Sequence, residues 1–320
     1  MLEPADMGLW QGRRDDLVEG ELGRRWHQQV APWQPGRGWG QGRGLALLGF
    51  ACDVGVQRNL GRPGAGGGPN ALRRAMAGLP YRGPRPLWDA GTVAAADGRL
   101  EEAQEAYAAQ VAALLADGQF PLGLGGGHEI AYGSFQGLLR ALPEEERHGI
   151  GIVNLDAHFD LRGDAVPSSG TPFRQIADDC AARGLPFRYC CLGVSEAANT
   201  AALFARARAL GVEWMRDEEM DLLARDRVLA RLGAFLDGVR HVYLTICLDV
   251  LPAAVAPGVS APASRGVPLE VVEPLVDAVA ASGKLRVADI AELNPDHDVD
   301  GRTARVAARL AYRLAGAGTA

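Results

Sequence analysis

Lysine is almost absent from this 320-residue chain: of the 33 lysine and arginine residues, only Lys284 is a lysine. The formal net charge is −6 and no long basic run occurs, which argues against nucleic acid as a partner. No stretch approaches roughly 18 consecutive apolar residues, so we expect no association with a membrane. The first residues lack both a basic and an apolar segment, and they predict no secretory signal.

Cysteine is also scarce, and its five residues are irregularly spaced, at positions 52, 180, 190, 191 and 247. This spacing does not match a disulfide framework, so we expect a reducing cytoplasm. Hydrophobic residues, in contrast, make up 48% of the chain. That content is enough for a large core, either in one large α/β domain or in two smaller domains.

Short apolar runs alternate with longer segments of helical periodicity. The strand candidates are residues 45–50, 86–90, 120–124, 150–155, 187–193, 212–215, 241–248 and 285–293. Several are continuously apolar, as expected of parallel strands that are covered on both faces. The pattern predicts a single three-layer α/β/α domain over residues 1–320, with a mostly parallel sheet of roughly eight strands. We expect residues 1–43, rich in tryptophan, proline and glycine, to form an irregular arm packed on this domain.

The segment 156–160 (Asp-Ala-His-Phe-Asp) follows the apolar run 150–155 and carries two carboxylates and an imidazole. Asp156, His158 and Asp160 share one face if the strand stays extended. Open α/β sheets place their chemistry at the carboxyl ends of strands, and these ligand types suit a divalent metal. A surface carboxylate pair with an unrelated histidine is the alternative, although such a pair rarely ends an apolar strand.

Three further polar groups also stand at the ends of strand candidates. In the segment 124–129 (Leu-Gly-Gly-Gly-His-Glu), the glycines let the backbone turn sharply and approach a neighbour closely. His128 is a candidate ligand there. A phosphate-binding turn and an ordinary strand–helix junction are the alternatives, and the spacing and lysine of a P-loop are absent. Asp249 and Glu292, taken singly, would also fit a helix N-cap or a loop salt bridge.

Taken together, these motifs resemble the ureohydrolase superfamily of arginase and agmatinase, and most closely its formimidoylglutamase branch. The three central motifs stand in the order of the superfamily, at residues 124–130, 152–160 and 245–258. Two flanking segments are also typical of the superfamily, residues 61–69 and 289–295. The branch is indicated by residues 10–13, 168–174 and 259–262. The resemblance therefore covers nearly the whole chain, and it implies an arginase-like fold.

The resemblance implies a site for two manganese ions. His128, Asp156 and Asp160 match the ligands of one ion. His158 and Asp249 match ligands of the other ion, and Asp156 would bridge both. Two such ions can share a water and hold it as hydroxide near neutral pH, and this hydroxide would attack the carbon of an amidine or guanidine.

The resemblance also implies roles for two carboxylates in catalysis. Asp160 would move a proton toward the departing nitrogen, and Glu292 would receive the cationic amidinium of the substrate through an ion pair. The superfamily tends to form trimers or hexamers, so we expect a homo-oligomer.

Substrate choice depends on the residues after the second motif. Arginases carry a histidine at the position of Phe173, and its loss counts against arginine as the substrate. Arg174 favours a substrate with an extra carboxylate, since guanidinium binds carboxylates bidentately, although a surface or helix-start role is an alternative. N-formimidoyl-L-glutamate would fit Arg174 and Glu292 together, and would yield L-glutamate and formamide in histidine degradation. Arg58 and Asn59 are further candidates for its second carboxylate.

Cys247 departs from the superfamily, which has a bridging aspartate at this position. A thiolate has one donor atom where a carboxylate has two, and sulfur prefers softer ions than manganese. We therefore hypothesise a weakened centre, with one ion site partly or wholly empty, or a softer metal such as zinc. Alternatively, Cys247 packs as a small apolar residue while the other five ligands hold at least one ion.

Two other functions stay open on the sequence alone. One is the hydrolysis of another linear amidine or of a guanidino acid. The other is a catalytically weakened or non-catalytic paralogue, in which Cys247 has replaced the bridging aspartate.

Overall fold

The computed structural model of the chain describes residues 1–36, 43–83, 85–95 and 98–316. The strands found in these residues form one ten-stranded sheet. They are β1 (Leu2–Glu3), β2 (Val30–Pro32), β3 (Leu45–Ala51), β4 (Leu87–Ala94), β5 (Phe120–Gly125), β6 (Ile150–Leu155), β7 (Tyr189–Val194), β8 (Glu213–Arg216), β9 (His241–Cys247) and β10 (Leu285–Ala291). The eight predicted strands correspond to β3 to β10, with ends that shift by a few residues.

The strand order across the sheet is β1-β4-β3-β5-β10-β9-β6-β7-β8, and β2 also pairs with β4. Among the described strands, β1 is the one that runs antiparallel to its neighbour, so the prediction of a mostly parallel sheet is confirmed. The two additional strands, β1 and β2, lie in the N-terminal arm that we expected to be irregular. They are two and three residues long, too short to show a periodicity of their own.

The helices cover both faces of the sheet. They are α1 (Asp16–Glu19), α2 (Val54–Arg58), α3 (Gly68–Ala77), α4 (Leu100–Ala116), α5 (Ile130–Ala141), α6 (Pro172–Ala182), α7 (Ala201–Ala209), α8 (Arg225–Asp237), α9 (Leu269–Ala281) and α10 (Arg302–Gly316). Buried residues of α3, α8, α9 and α10 form one core with Leu45 and Leu47 of β3. Those of α4 to α7 form a second core with Ala46 and Leu48. Because successive side chains of a strand point to opposite faces, the sheet lies between two helical layers, as predicted.

Helix α4 shows how local sequence sets an element boundary. Gly118 follows the helix with φ of +74°, a conformation that glycine adopts without steric cost. The Gly118 amide donates to the Leu115 carbonyl at 3.0 Å, and the Gln119 amide donates to the Leu114 carbonyl at 2.9 Å. These two bonds form a Schellman motif, which satisfies the last carbonyls of the helix and turns the chain into β5.

A buried ion pair attaches the N-terminal arm and α3 to the sheet. Arg73 donates from Nε to Asp89 Oδ2 at 2.8 Å and from Nη2 to Asp89 Oδ1 at 2.9 Å. Trp10 of the arm donates from Nε1 to Asp89 Oδ2 at 2.8 Å. Arg73 and Asp89 are 1% and 0% exposed, so each charge depends on the other.

The extent of a single domain over residues 1–320 stays a prediction. Within the described ranges, no helix has both the length and the apolar character needed to cross a membrane.

Candidate metal centre and active site

The predicted site residues follow four strands that are neighbours at the centre of the sheet, in the order β5-β10-β9-β6. Their register keeps their carboxyl ends level, as shown by the paired residues Leu124–Ile290, Ala291–Cys247 and Leu155–Ile246. The segments that leave these strands therefore lie side by side. This arrangement brings together residues that are more than 160 positions apart in the sequence, such as His128 and Glu292, whose backbone and side chain are hydrogen-bonded.

The glycines after β5 allow this segment to pack directly against the end of β3. The Gly126 amide donates to the Phe50 carbonyl at 2.9 Å, and the Gly127 amide donates to the Cys52 carbonyl at 2.9 Å. A Cβ atom on Gly126 would lie 1.9 Å from the Cys52 carbonyl oxygen, which no side chain could tolerate. The close backbone approach expected from these glycines is therefore observed, and it places His128 above the sheet.

His128 faces two carboxylates with one ring nitrogen. Its Nδ1 lies 3.0 Å from Asp156 Oδ2 and 2.9 Å from Asp160 Oδ2. Within the described residues this buried nitrogen nevertheless has no partner in hydrogen-bond geometry. Burial lowers the pKa of His128, but Asp156 and Asp160 outweigh burial and raise it well above its usual value. A cation, either a proton or a metal ion, is thus strongly favoured at this position.

The other ring nitrogen of His128 is held by a chain of hydrogen bonds. Nε2 lies 2.9 Å from Thr245 Oγ1, and the Thr245 hydroxyl donates to Asp289 Oδ1 at 2.6 Å. Since that hydroxyl has one proton and Asp289 accepts it, the threonine oxygen must accept from Nε2–H. The chain therefore leaves Nδ1 as the nitrogen available to a metal, the kind of support that metal-binding histidines commonly have.

His158 faces a second pair of carboxylates. Its Nδ1 lies 3.5 Å from Asp156 Oδ1 and 3.2 Å from Asp249 Oδ2. The other oxygen of Asp249, Oδ1, is buried and has no hydrogen-bond partner among the described residues. Asp156 therefore faces both histidines, one with each carboxylate oxygen.

The donor atoms fall into two groups that share Asp156. His128, Asp156 and Cys247 form one group, and Asp156, His158 and Asp249 form the other, each with ligand atoms within 4.8 Å of one another. Burial, followed by the charge of Asp156, raises the pKa of Asp249. Buried carboxylates at such distances repel one another unless cations lie between them. The donor set, including its unpaired oxygen and nitrogen atoms, fits two divalent ions that share a bridging carboxylate.

Cys247 is 2% exposed and ends β9 within the first of these groups. Burial raises the pKa of its thiol well above the usual value, and the charges of Asp156 and Asp249 raise it further. A metal ion has to displace this proton before sulfur can bind, because the thiolate is the ligand form.

Glu292 lies at the end of β10 and faces the same cavity. Its Oε1 accepts a hydrogen bond from the His128 amide at 2.9 Å, whereas its buried Oε2 has no partner within the described ranges. Burial, followed by the charges of Glu129 and Asp249, raises the pKa of Glu292 to about 8. A cationic group that enters the cavity would satisfy this oxygen and lower that pKa.

The cavity above the centre has a volume of about 260 Å³. Among the residues that line it are Asn59, Arg62, His128, His158, Asp160, Arg162, Ser169, Cys247, Asp249 and Glu292. Of the predicted substrate-binding residues, Glu292 and Asn59 therefore reach the cavity. Asn59 donates from Nδ2 to Ser169 Oγ at 3.2 Å at its edge.

Arg174 and Arg58 are not among the residues that line the cavity, contrary to our expectation. Arg174 lies in the first turn of α6, donates from Nε to the Arg162 carbonyl at 2.9 Å and pairs with Asp178 one turn later. Arg58 ends α2 and pairs with Glu101, from Nη1 to Oε1 at 2.7 Å. Both guanidinium groups thus have partners outside the cavity, which the sequence did not reveal.

Phe173 packs against the candidate ligand His128. The two rings make a T-shaped contact at a centroid distance of 5.5 Å, and Phe173 also stacks on Tyr189 at 4.5 Å. It is fully buried, so an apolar ring occupies the position at which arginases carry a histidine.

The comparisons with known proteins identify the family of the chain. The model of the arginase family matches residues 43–316, which is most of the chain. The chain belongs to the arginase family. Among curated members of the arginase family, the formimidoylglutamase of Ralstonia nicotianae is 60% identical over 315 residues, covering 97% of this chain and 95% of that protein.

Solved structures of the arginase family share the fold. Formimidoylglutamase from Bacillus subtilis aligns with a TM-score of 0.79 and 22% identity, over 92% of this chain and 91% of that one, which supports the fold alone. Formiminoglutamase from Trypanosoma cruzi, solved with Mn²⁺, aligns with a TM-score of 0.75 and 27% identity, over 85% of this chain and 92% of that one. The prediction of an arginase-like fold is confirmed.

Three residues at or beside the site were missed from the sequence. Thr245 and Asp289 are polar residues inside the apolar strand candidates 241–248 and 285–293. Because buried polar groups require partners, their placement in apolar strands could have indicated that they support neighbouring functional groups. Nothing in the sequence around Arg162 indicated that it lines the cavity, because this depends on which groups surround it in space.

Proposed function

We propose that this chain is a hydrolase that converts N-formimidoyl-L-glutamate and water into L-glutamate and formamide, a step of histidine degradation. The observation that carries the proposal is the unpartnered Oε2 of Glu292, which faces the same cavity as the histidines and aspartates described above. This arrangement suits a small cationic amidine held next to a metal centre. The name of the Ralstonia nicotianae relative supports the same substrate.

We further propose that the cofactor is manganese, held by His128, Asp156, Asp160 and Cys247 on one side and by Asp156, His158 and Asp249 on the other. Two ions at such a site would supply a water of lowered pKa as the nucleophile. The Mn²⁺ found with the Trypanosoma cruzi relative supports this choice of metal. The number of ions is part of the proposal, because Cys247 offers one donor atom where an aspartate offers two.

Two carboxylates of the chain would act on the substrate in this proposal. Glu292 would accept N–H groups of the amidinium through Oε2 and orient its carbon toward the metal centre. Asp160 lies beside His128, and burial, followed by the charge of Asp156, raises its pKa. It is therefore suited to take a proton from the attacking water and give it to the departing amine of glutamate as the carbon–nitrogen bond breaks.

Product analysis of the manganese-loaded protein tests the proposed function. We expect release of formamide and L-glutamate in equal amounts, and loss of turnover in Glu292→Gln, which keeps the side-chain size but removes the negative charge. A panel with guanidinobutyrate and agmatine separates the alternative, since guanidino substrates release urea. Urea without formamide would replace the proposed substrate with a guanidino compound.

Release of no product would favour the paralogue that keeps the fold without catalysis. In that case, turnover by Cys247→Asp alone would assign the loss of activity to Cys247.

We also propose a homo-oligomer, either a trimer or a hexamer, in a reducing cytoplasm. The five cysteines support the compartment, because all of them are free and buried. Light scattering of the purified protein measures the oligomeric state directly, and a monomeric mass at micromolar concentration would contradict this proposal.

A further inference from the structure

Two arginines are found among the described residues that line the cavity, and they differ in what their guanidinium groups bind. Arg62 donates from Nε to the Ser260 carbonyl at 3.1 Å and from Nη2 to the Val259 carbonyl, so it serves the surrounding loop. The Arg162 guanidinium has no hydrogen bond or ion pair with any residue in the described part of the chain. Arg162 is therefore a cation left free at the cavity.

The backbone that carries Arg162 is held firmly, although its side chain is not. The Arg162 amide donates to the Gly170 carbonyl at 2.8 Å. Arg174 donates from Nε to the Arg162 carbonyl at 2.9 Å and from Nη2 to the Asp164 carbonyl at 3.3 Å, and Arg206 donates to the Leu161 carbonyl. The function of Arg174 in the structure is thus to support the loop that presents Arg162.

Gly170 leaves room for the Arg162 side chain next to Asn59. A Cβ atom on Gly170 would lie 2.6 Å from Arg162 Cδ, 2.9 Å from Arg162 Nε and 3.1 Å from Asn59 Nδ2. Both of the last two distances start from the same Cβ position on Gly170, so Nε of Arg162 and Nδ2 of Asn59 are at most 6.0 Å apart (2.9 Å plus 3.1 Å). Two donors at this separation can bind the two oxygens of one carboxylate.

The charges around the cavity decide where it can bind an anion. Asp160, Asp249 and Glu292 line the cavity, and a substrate carboxylate next to them would be repelled. Arg162 is exposed to solvent and lines the same cavity, so its positive charge can compensate a negative charge on a ligand there. The lining of the cavity therefore includes both a free acceptor for a cation, Glu292, and a free cation for an anion, Arg162.

We propose that Arg162, with the Asn59 amide beside it, binds a carboxylate of the substrate while Glu292 holds its amidinium. This inference rests on the proposed function and deepens it, because it assigns the specificity for an acidic amidine to Arg162 in place of Arg174. Arg62, whose Nε and Nη2 are held by loop carbonyls, does not take this role.

Binding of L-glutamate, the product of the proposed reaction, tests Arg162 without requiring turnover. Calorimetry on the manganese-loaded protein should show binding that Arg162→Gln weakens by about 10- to 100-fold, as expected for the loss of a charged hydrogen-bond pair. Arg162→Lys should retain part of the affinity. The matched control is Arg140→Gln, which removes another exposed arginine; neither Arg140 nor its partner Glu105 is among the residues that line the cavity. Equal affinities of the wild-type chain and Arg162→Gln would overturn the proposal, and so would no binding of L-glutamate to the wild-type chain.

Kinetics separate a failure of this inference from a failure of the proposed function. For N-formimidoyl-L-glutamate, Arg162→Gln should raise KM and change kcat little. For N-butylformamidine, which has no carboxylate, kcat/KM should be the same in both proteins. Equal losses on both substrates would indicate a merely structural role and overturn the inference. If the wild-type chain hydrolysed neither substrate, the proposed function would fail, while the binding measurement would still decide the role of Arg162.

Discussion

At the scale of single residues, we expect Cys247 to limit how strongly the candidate centre binds manganese. Its Sγ joins His128 and Asp156 in one ligand group, but a single sulfur atom cannot offer a separate donor to each of two ions. Sulfur also prefers softer metals than manganese, and burial opposes the ionisation of this thiol.

We therefore expect Cys247→Asp to bind more manganese than the native chain. After loading with Mn²⁺ and extensive dialysis, metal analysis should show about two ions per chain for the variant and fewer for the native protein. Cys180→Ala is the control, since Cys180 is also buried but lies on α6 outside both ligand groups. Two full equivalents of manganese in the native protein would refute the idea of a weakened centre.

Thr245 controls which nitrogen of His128 is available to a metal. Thr245→Val keeps the shape of the side chain but removes the hydroxyl that links His128 to Asp289. We expect the affinity for Mn²⁺ to fall by about 10- to 100-fold, as is usual when such a supporting partner is lost.

The measurement is a titration with Mn²⁺ followed by electron paramagnetic resonance of the free ion. Thr245→Ser should restore most of the affinity. Ser134→Ala serves as a second control, because Ser134 Oγ bonds Asp289 Oδ2 at 2.5 Å and lies outside the chain to His128. Wild-type affinity in Thr245→Val would show that the hydrogen-bond chain is dispensable.

At the scale of secondary-structure elements, the buried pair Arg73–Asp89 attaches α3 to β4. Arg73→Met removes the charge and keeps much of the volume, which leaves the Asp89 carboxylate buried without its partner. We expect the free energy of unfolding to fall by about 3–5 kcal/mol, measured by urea unfolding of the metal-free protein.

The control for this prediction is an exposed pair between two helices. Arg140 and Glu105, whose side chains are 38% and 66% exposed, join α5 and α4 at 2.5 Å. Arg140→Met should lower the free energy of unfolding by no more than about 1 kcal/mol, because water screens this pair. Similar losses in the two variants would mean that burial does not determine the contribution of the pair Arg73–Asp89.

At the scale of the whole molecule, we expect the buried titratable groups in and around the candidate metal centre to couple the stability of the fold to pH. Burial raises the pKa of Glu292 to about 8 and that of Glu129 to about 7, against 4.5 for an ordinary glutamate. Neighbouring carboxylates outweigh burial and raise the pKa of His128 and His158 well above 6.5. All four groups therefore hold protons in the folded, metal-free chain at pH values where the unfolded chain has released them.

By linkage, the stability that comes from these protons is lost as pH rises through the folded pKa values. The melting temperature of the metal-free chain should therefore fall between pH 6.5 and pH 8. Manganese should reverse this trend, because the ions replace the protons and bind more tightly as pH rises. Calorimetric scans in EDTA and in excess Mn²⁺ make the comparison. A metal-free melting temperature that rises over this range would contradict the prediction.

Local sequence patterns are enough to predict the layered architecture and to single out the candidate metal-binding motif. Continuous apolar runs such as 150–155 predict buried parallel strands because their side chains must be covered on both faces, and the structure has these strands. The alternation within 156–160 predicts that Asp156 and His158 share one side, and both face the same centre, although the segment bends at residues 157–158 and Asp160 has φ of +48°. These features are local, so a pattern of neighbouring residues is enough to predict them.

Which distant groups share the cavity depends on the tertiary structure. The order β5-β10-β9-β6 joins His128 to Glu292, and nothing within either segment specifies that order. Arg174 and Arg162 are both arginines near the second motif, yet one supports a loop and the other stays free at the cavity. The reason is physical: the partner of a long, flexible cation is set by the acceptors that surround it in three dimensions, whereas the burial of a strand is set by its own side chains.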